Sequence, residues 1–275
     1  INLGKINEAF NFAKKLEKKN LSTFESDLVI GIYLLKNQKY DQAEKYFLKI
    51  KNEKKEILLN SFITDSMLNW VNIDKTNLNS AKKKINSTEP VFENLKRIQK
   101  VFLHCYFNDD NTEIFFKKLV SDENIDFSRY NYFYASFLHN SGRIQDAKNI
   151  LGKSTKTYPR NLLLNQYKID LNEDVNFKSN FNCKDRSNVI AEIFYITANA
   201  FSSQSMYSLS NFYLNLSKYL NKEFSSFDTL LAENFYKIEN FKESKKIYDQ
   251  MKKKGSAYLW YSAKQKAKIL LIEKK

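Results

Sequence analysis

The sequence predicts an all-α fold, a right-handed α-solenoid of antiparallel helix pairs, on three observations. First, one spaced pattern recurs: Gly31 to Ala43, Ala135 to Ala147 and Ala232 to Ser244 each set a small residue inside one amphipathic stretch and another twelve positions on, inside the next. Leu34, Leu138 or Phe235 stands three after the first small site, Tyr40, Ile144 or Phe241 three before the second, and Phe47, Leu151 or Tyr248 four after it. Second, only five Gly and two Pro among 275 residues leave few makers of tight turns, which disfavours an all-β fold. Third, apolar residues return at helical period between short polar breaks along most of the chain. Small residues at fixed places let two helices approach closely. Aromatic residues, 15% of the chain, then wedge each pair against its neighbour so that stacked pairs bury a continuous core.

The elements follow in order. Helices are expected over Glu8 to Lys19, Phe24 to Asn37, Tyr40 to Lys51, Lys55 to Val71 and Leu78 to Ile85. Pro90, placed as a first-turn proline, opens a long helix to Phe107. Asn111 to Val120, Ser128 to Asn140, Ile144 to Ser154 and Leu162 to Asp170 continue the array. From Leu171 to Arg186 Asn, Asp, Lys and Ser dominate and no helical stripe survives, so this stretch is expected as a long, partly disordered loop. Ser187 to Ser203, Met206 to Leu220, Phe227 to Ile238, Phe241 to Lys253 and Ala257 to Ile272 complete the chain. The expected organisation is thus a helical array over 1–170, a polar loop at 171–186 and a second array over 187–275.

These residues resemble the tetratricopeptide repeat, a helix–turn–helix unit of about 34 residues. The best copy is Ser128 to Asn161, where Ala135, Leu138, Gly142, Ile144, Ala147, Leu151 and Pro159 occupy signature places. It departs at Asn131, where the family often has Trp, and at Ser154, where Ala is usual. Phe24 to Ile57 and Ser225 to Tyr258 are further copies, and Ala191 to Phe224 a fainter one with Ala198 and Ser210 at the small sites. Gly4, Ile6 and Ala9 match the turn and second helix of a repeat, so the array is expected to start inside one and any leader to lie upstream of Ile1. The order of Gly142 and Arg143, the polar spacer and the run Ser256 to Ala263 is also similar to long repeat proteins of alphaproteobacteria. Their function is poorly defined. That likeness implies a bacterial protein, with the cell envelope or periplasm favoured over the cytoplasm.

Composition narrows the function classes. The net charge is +14, and positions 245–275 hold ten lysines against Asp249 and Glu273, a net +8 for that segment. Lys outnumbers Arg while Asn and Ile abound, the composition of an AT-rich genome. The aromatics fall at core spacing rather than as stacking platforms. A solvated basic end is therefore favoured and nucleic acid disfavoured as a partner. No stretch approaches the roughly 20 apolar residues that span a bilayer, so membrane contact would be peripheral or through an upstream segment. Cys105 and Cys183 lie 78 apart without a CxxC spacing. A bond between them would fit an oxidising compartment, but two independent thiols are the favoured reading, with Cys105 in the core. His104 and His139 lie outside any HExxH pattern, and paired acids such as Asp109 with Asp110 or Glu173 with Asp174 read as loop carboxylates. Catalysis, metal binding and cofactors are accordingly not expected.

What remains is surface. The tetratricopeptide resemblance implies a concave groove lined by the first helix of each pair. In the best copy its contact positions are Arg129, Tyr132, Ser136, His139 and Asn140; in the fainter copy they are Glu192, Tyr195, Asn199, Ser202 and Ser203. The helix from Pro90 adds Arg97, Lys100 and His104, three and four apart on one face, opposite an expected core stripe of Phe92, Leu95, Phe102 and Cys105. Cations, tyrosines and amides suit an extended peptide whose backbone bonds to the amides and whose carboxylates meet Arg or Lys. The expectation is a non-catalytic scaffold or assembly factor with a protein or peptide in the groove. The alternative is a structural subunit docking a membrane or larger complex through its basic C-terminal end, its groove empty or filled by its own chain. On the first reading, replacing Arg129, Tyr132 and His139 together abolishes partner capture without lowering the melting temperature.

Overall fold

The computed structural model describes residues 4–53, 58–88, 92–173, 177 and 179–274. The expected starts at Lys55 and Pro90, together with Ile1, Asp174 and Lys275, lie outside the described residues. Among the described residues there are fifteen α-helices, one 3-10 turn at Ile73–Lys75 and no strand. The helices are α1 (Ile6–Lys18), α2 (Phe24–Lys36), α3 (Tyr40–Glu53), α4 (Leu58–Val71), α5 (Leu78–Asn86), α6 (Glu93–Tyr106), α7 (Thr112–Val120) and α8 (Tyr130–Asn140). They continue as α9 (Ile144–Thr157), α10 (Leu162–Glu173), α11 (Arg186–Ser203), α12 (Tyr207–Leu220), α13 (Ser226–Lys237), α14 (Phe241–Met251) and α15 (Ser256–Glu273). Most neighbours in sequence pack on each other, most extensively α2 on α3, α8 on α9 and α13 on α14, the three pairs that carry the recurrent pattern. The construction is tetratricopeptide-like.

The pattern has a direct mechanical meaning. Ala43, Ala135, Ala147, Ala232 and Ser244 are wholly buried, and a Cβ built on Gly31 would stand 2.5 Å from the Phe47 ring. A larger residue at any of these places would push paired helices apart. Ser244 in place of alanine is accommodated because its hydroxyl donates to the Ala232 carbonyl at 2.9 Å. Leu34, Leu138 and Phe235 do more than pack. Their carbonyls accept from the amides of Lys39, Arg143 and Asn240, each at 2.9 Å, which closes the preceding helix across a residue in the left-handed region. That residue is Gln38 (φ 59°), Gly142 (φ 77°) or Glu239 (φ 60°). The same closure joins Met206 to Phe201 across Ser205, the turn of the fainter copy. These are Schellman-type ends, which satisfy the last carbonyls and turn the chain back on itself. Thr23, Asn77, Asn161 and Asn240 accept amide bonds at helix starts.

The chain forms two compact units. One comprises Ile1–Asp110, Cys183–Ile196 and Asn215–Asn221; the other comprises Asn111–Asn182, Thr197–Leu214 and Lys222–Lys275. Division therefore follows contact rather than chain order, and α11 and α12 each contribute to both units. Within the stretch 171–186 the described residues are partly ordered and partly buried. Leu171–Glu173 completes α10, while Phe181 and Cys183 are buried. Polar side chains outnumber apolar ones there, yet the two buried apolar residues anchor the described part at 179–183.

In the first unit Cys105 of α6 and Cys183 form a disulfide, with Cα atoms 6.0 Å apart. This corrects the expectation of independent thiols: the 78-residue separation gave no hint that the two backbones meet. Three residues further on, Arg186 is almost fully buried. It stacks over Tyr40 at 4.0 Å, donates to the Val71 carbonyl at 2.9 Å and pairs with Asp74. The guanidinium needs all three partners, since a buried cation is costly without them.

Candidate partner-binding surface

In the second unit α8 is the best-matched first helix, and its expected contact face is largely covered. Tyr132 is 4% and Ser136 1% exposed, which removes both from solvent. The cover is the chain's own irregular segment at 177 and 179–182. Ser136 Oγ donates to Ser179 Oγ at 2.6 Å and lies 3.2 Å from the Phe181 carbonyl, while the Tyr132 hydroxyl meets Ser179 Oγ at 3.2 Å. Burial pushes the Tyr132 phenol up to about 12. Phe181 packs edge-on against Phe133 at 4.5 Å, and Asn180 donates to the Glu223 carbonyl at 3.2 Å. The helix face thus holds an irregular segment of this same chain through hydroxyls and rings.

Arg129 is likewise committed. Its guanidinium lies over Phe133 (5.5 Å) and Phe224 (5.2 Å) and donates to Ser226 Oγ at 2.9 Å. His139 Nδ1 stands 3.0 Å from the Tyr167 hydroxyl. Substituting Arg129, Tyr132 and His139 together would therefore strip packing and hydrogen bonds from α8, so the expectation of an unchanged melting temperature is corrected. Only Asn140 of this set is exposed. Beside the covered face lies a cavity of about 40 Å³ bounded by Tyr132, Tyr167, Phe177, Phe224, Tyr258 and Asp170. It is large enough for water and too small for a peptide side chain. Burial raises the Asp170 carboxyl, which accepts from Gln166 Nε2 at 2.7 Å.

The remaining candidates do not form one group. In the first unit His104 is buried, with Nδ1 2.9 Å from Asp109 Oδ1, while Arg97 and Lys100 are half-buried beside it on α6. Phe102 and Cys105 are core as expected; Phe92 and Leu95 are only partly covered. On α11 Glu192 is wholly buried, Tyr195 half-buried and Asn199 exposed. Ser202 donates to Asn234 at 2.6 Å, and Asn234 in turn donates to Ser210 and Asn211, so this polar set is an internal network of the second unit. Surface positions that stay open are thus Asn140, Asn199 and Ser203, with Arg97 and Lys100 partly so.

The sequence signals missed here were Phe177, Phe181 and Cys183, apolar residues inside a polar stretch that foretold a segment bound to a helix face. Among the described residues no group of three or more His, Cys, Asp or Glu could hold a metal ion, and no helix is long and apolar enough to cross a membrane.

Neither a protein-family model nor a curated protein matches the sequence. Solved structures similar to this chain include the APC/C hetero-tetramer Cut9–Hcn1, at 14% identity and a TM-score of 0.41, covering 90% of this chain and 43% of that one. The human IFIT1 dimer with PPP-AAAA is similar at 14% identity and a TM-score of 0.29, covering 89% of this chain and 54% of that one. An IFIT1 monomeric mutant with Gppp-AAAA gives 13% identity and a TM-score of 0.30 over the same shares. The chain spans about half the length of each of these proteins.

Proposed function

We propose that the chain is a non-catalytic scaffold that holds a partner protein on the first-helix faces of its pairs. One observation carries this reading. The face of α8 already binds an irregular segment, through the hydroxyls of Tyr132 and Ser136, which meet Ser179 Oγ and the Phe181 carbonyl, and through the rings around Phe181. Side chains that grip a segment in cis illustrate the chemistry by which positions left open, Asn140 at the end of α8, Asn199 on α11 and Lys100 on α6, take a segment in trans. Amides suit that role because each offers a donor and an acceptor to a peptide backbone. The 28% of charged residues keeps so large a helical surface in solution.

A photo-crosslinking side chain placed at Asn140, Asn199 or Lys100 of the full chain, in the cells that make it, tests this. Controls stand at Gln145 on α9 and Lys246 on α14, exposed positions of second helices. Discrete polypeptide adducts at the first-helix positions and none at the controls are expected. Adducts distributed equally over both sets, or at neither, overturn the reading.

A further inference from the structure

The segment that covers α8 meets it as a bound peptide would, and both lie within the second unit, as does α10. Its contacts alternate along the chain. The Phe177 ring lies 5.9 Å from Tyr167 of α10, Ser179 Oγ meets Ser136 and Tyr132 of α8, and Phe181 packs on Phe133 at 4.5 Å. The alternate positions Asn180 and Asn182 are exposed. Three wall-facing positions set two apart, in the order aromatic, hydroxyl, aromatic, make a motif that side-chain pockets can read.

The wall beneath is suited to periods of exposure. Tyr132 and Ser136 turn hydroxyls toward the segment, and the Tyr167 hydroxyl stands 3.0 Å from His139 Nδ1. Apolar side chains on both sides would serve a permanent cover as well, because a buried hydrogen-bonded pair contributes little over an apolar pair of the same shape. Hydroxyls are the better choice for a wall that is at times wet, since water then takes up the bonds that Ser179 gives back. The fit is also incomplete. The cavity of about 40 Å³ between Phe177 and the Tyr132, Tyr167 and Phe224 rings forfeits contacts that a closer occupant would make.

We infer that residues 177–182 are an internal competitor, which occupies the wall of α8 and α10 and gives way to a partner segment with aromatic, Ser or Thr, and aromatic residues at alternate positions. The existence of that partner rests on the scaffold reading; the displaceable cover does not. Bonded into the chain at both ends, the segment stays at an effective concentration on the order of 1 mM when it leaves the wall. It therefore weakens every incoming segment by the fraction of time that the wall stands open.

The test titrates the full chain with a fluorescent peptide of the sequence of residues 177–182, followed by anisotropy. The wild type is expected to bind it weakly, and to bind no peptide that carries alanine at both phenylalanine positions. Phe181→Ala loosens the cover, so this variant should bind the original peptide about tenfold more tightly. Ser136→Cys with Ser179→Cys replaces two oxygens 2.6 Å apart, and oxidation with glutathione disulfide should lock the cover shut and abolish binding. Mass spectrometry verifies the new bond, and circular dichroism verifies that each variant is folded. Should Phe181→Ala unfold, the wild-type and locked chains decide between them. A wild type that takes up no peptide at about 1 mM overturns the inference, because the segment is then a fixed part of the fold. So does a locked chain that binds as the wild type does, or a folded Phe181→Ala chain that binds no more tightly. Crosslinks at Asn199 and Lys100 judge the scaffold reading separately, and their absence beside intact peptide exchange would sink that reading alone.

Discussion

At the scale of single residues, the helix ends carry the clearest test of how the turns are built. Gln38 and Glu239 adopt positive φ where the equivalent turn uses Gly142. A side chain in the left-handed region costs on the order of 1 kcal/mol that glycine avoids. Gln38→Gly and Glu239→Gly should therefore each raise stability by about 0.5–1 kcal/mol, and Gly142→Ala should lower it by about 1 kcal/mol, in chemical denaturation. Equal or opposite changes would show that the turns are held by something other than backbone conformation. A second site is set by charge. Glu113 accepts from Arg143 Nη1 at 2.6 Å, pairs with Lys117 at 2.8 Å and accepts from the Tyr134 hydroxyl at 2.9 Å, which holds its carboxyl down at about 2. A depressed carboxyl stabilises the fold above its ordinary value near 4.5 and loses that contribution as pH falls toward 2. Because Arg143 and Lys117 are exposed, Glu113→Gln should cost only about 1 kcal/mol at pH 7, and the difference from the wild type should vanish near pH 2. A pH-independent difference would assign the cost to the Tyr134 bond alone.

At the scale of elements, nearly every helix was legible because small and apolar residues recur at helical spacing, and spacing is what an amphipathic helix writes into a sequence. The covered face of α8 was not. The resemblance placed Tyr132 and Ser136 on a groove wall, and nothing in their own spacing tells whether a wall is open or covered. That depends on Ser179 and Phe181, more than forty residues away in a stretch whose composition reads as solvent. The attachment of α15 was equally hidden, and it turns on Gly255. Its φ of 121° suits glycine alone, and a Cβ there would stand 2.1 Å from Gln166 Nε2. Gln166 cannot swing away freely, since it is buried, its Oε1 accepts from the Ala257 amide at 2.9 Å and its Nε2 donates to Asp170. Gly255→Ala should therefore loosen α15 from α10 at a cost of about 2–4 kcal/mol, combining backbone strain with two lost bonds. Hydrogen exchange should then rise in α15 before α8 or α9. Unchanged protection of α15 would refute the account.

At the scale of the whole molecule, chain order and compactness disagree, and the disagreement can be measured. A division at 171–186 looks natural in sequence because composition changes there. The first unit nevertheless includes Cys183–Ile196 and Asn215–Asn221. Val189, Ile190, Ile193, Phe194, Leu216 and Leu220 in those stretches are wholly buried. At roughly 1.5–3 kcal/mol for each large apolar side chain removed from water, their loss would cost on the order of 10 kcal/mol, as much as a domain's whole stability. The same cut removes Arg186, leaving Tyr40, the Val71 carbonyl and Asp74 without the guanidinium that joins them, and it deletes the disulfide partner of Cys105. Lys36 also loses the Leu220 carbonyl that accepts from it at 2.6 Å. Local helices survive such a cut more readily than packing does, because their periodicity is intact. A fragment of residues 1–170 should thus retain helical circular dichroism, bind a hydrophobic dye and melt broadly, while the full chain melts in a sharp transition. If the fragment melted cooperatively within about 5 °C of the full chain, residues 183–196 and 215–221 would not be part of the first unit's core.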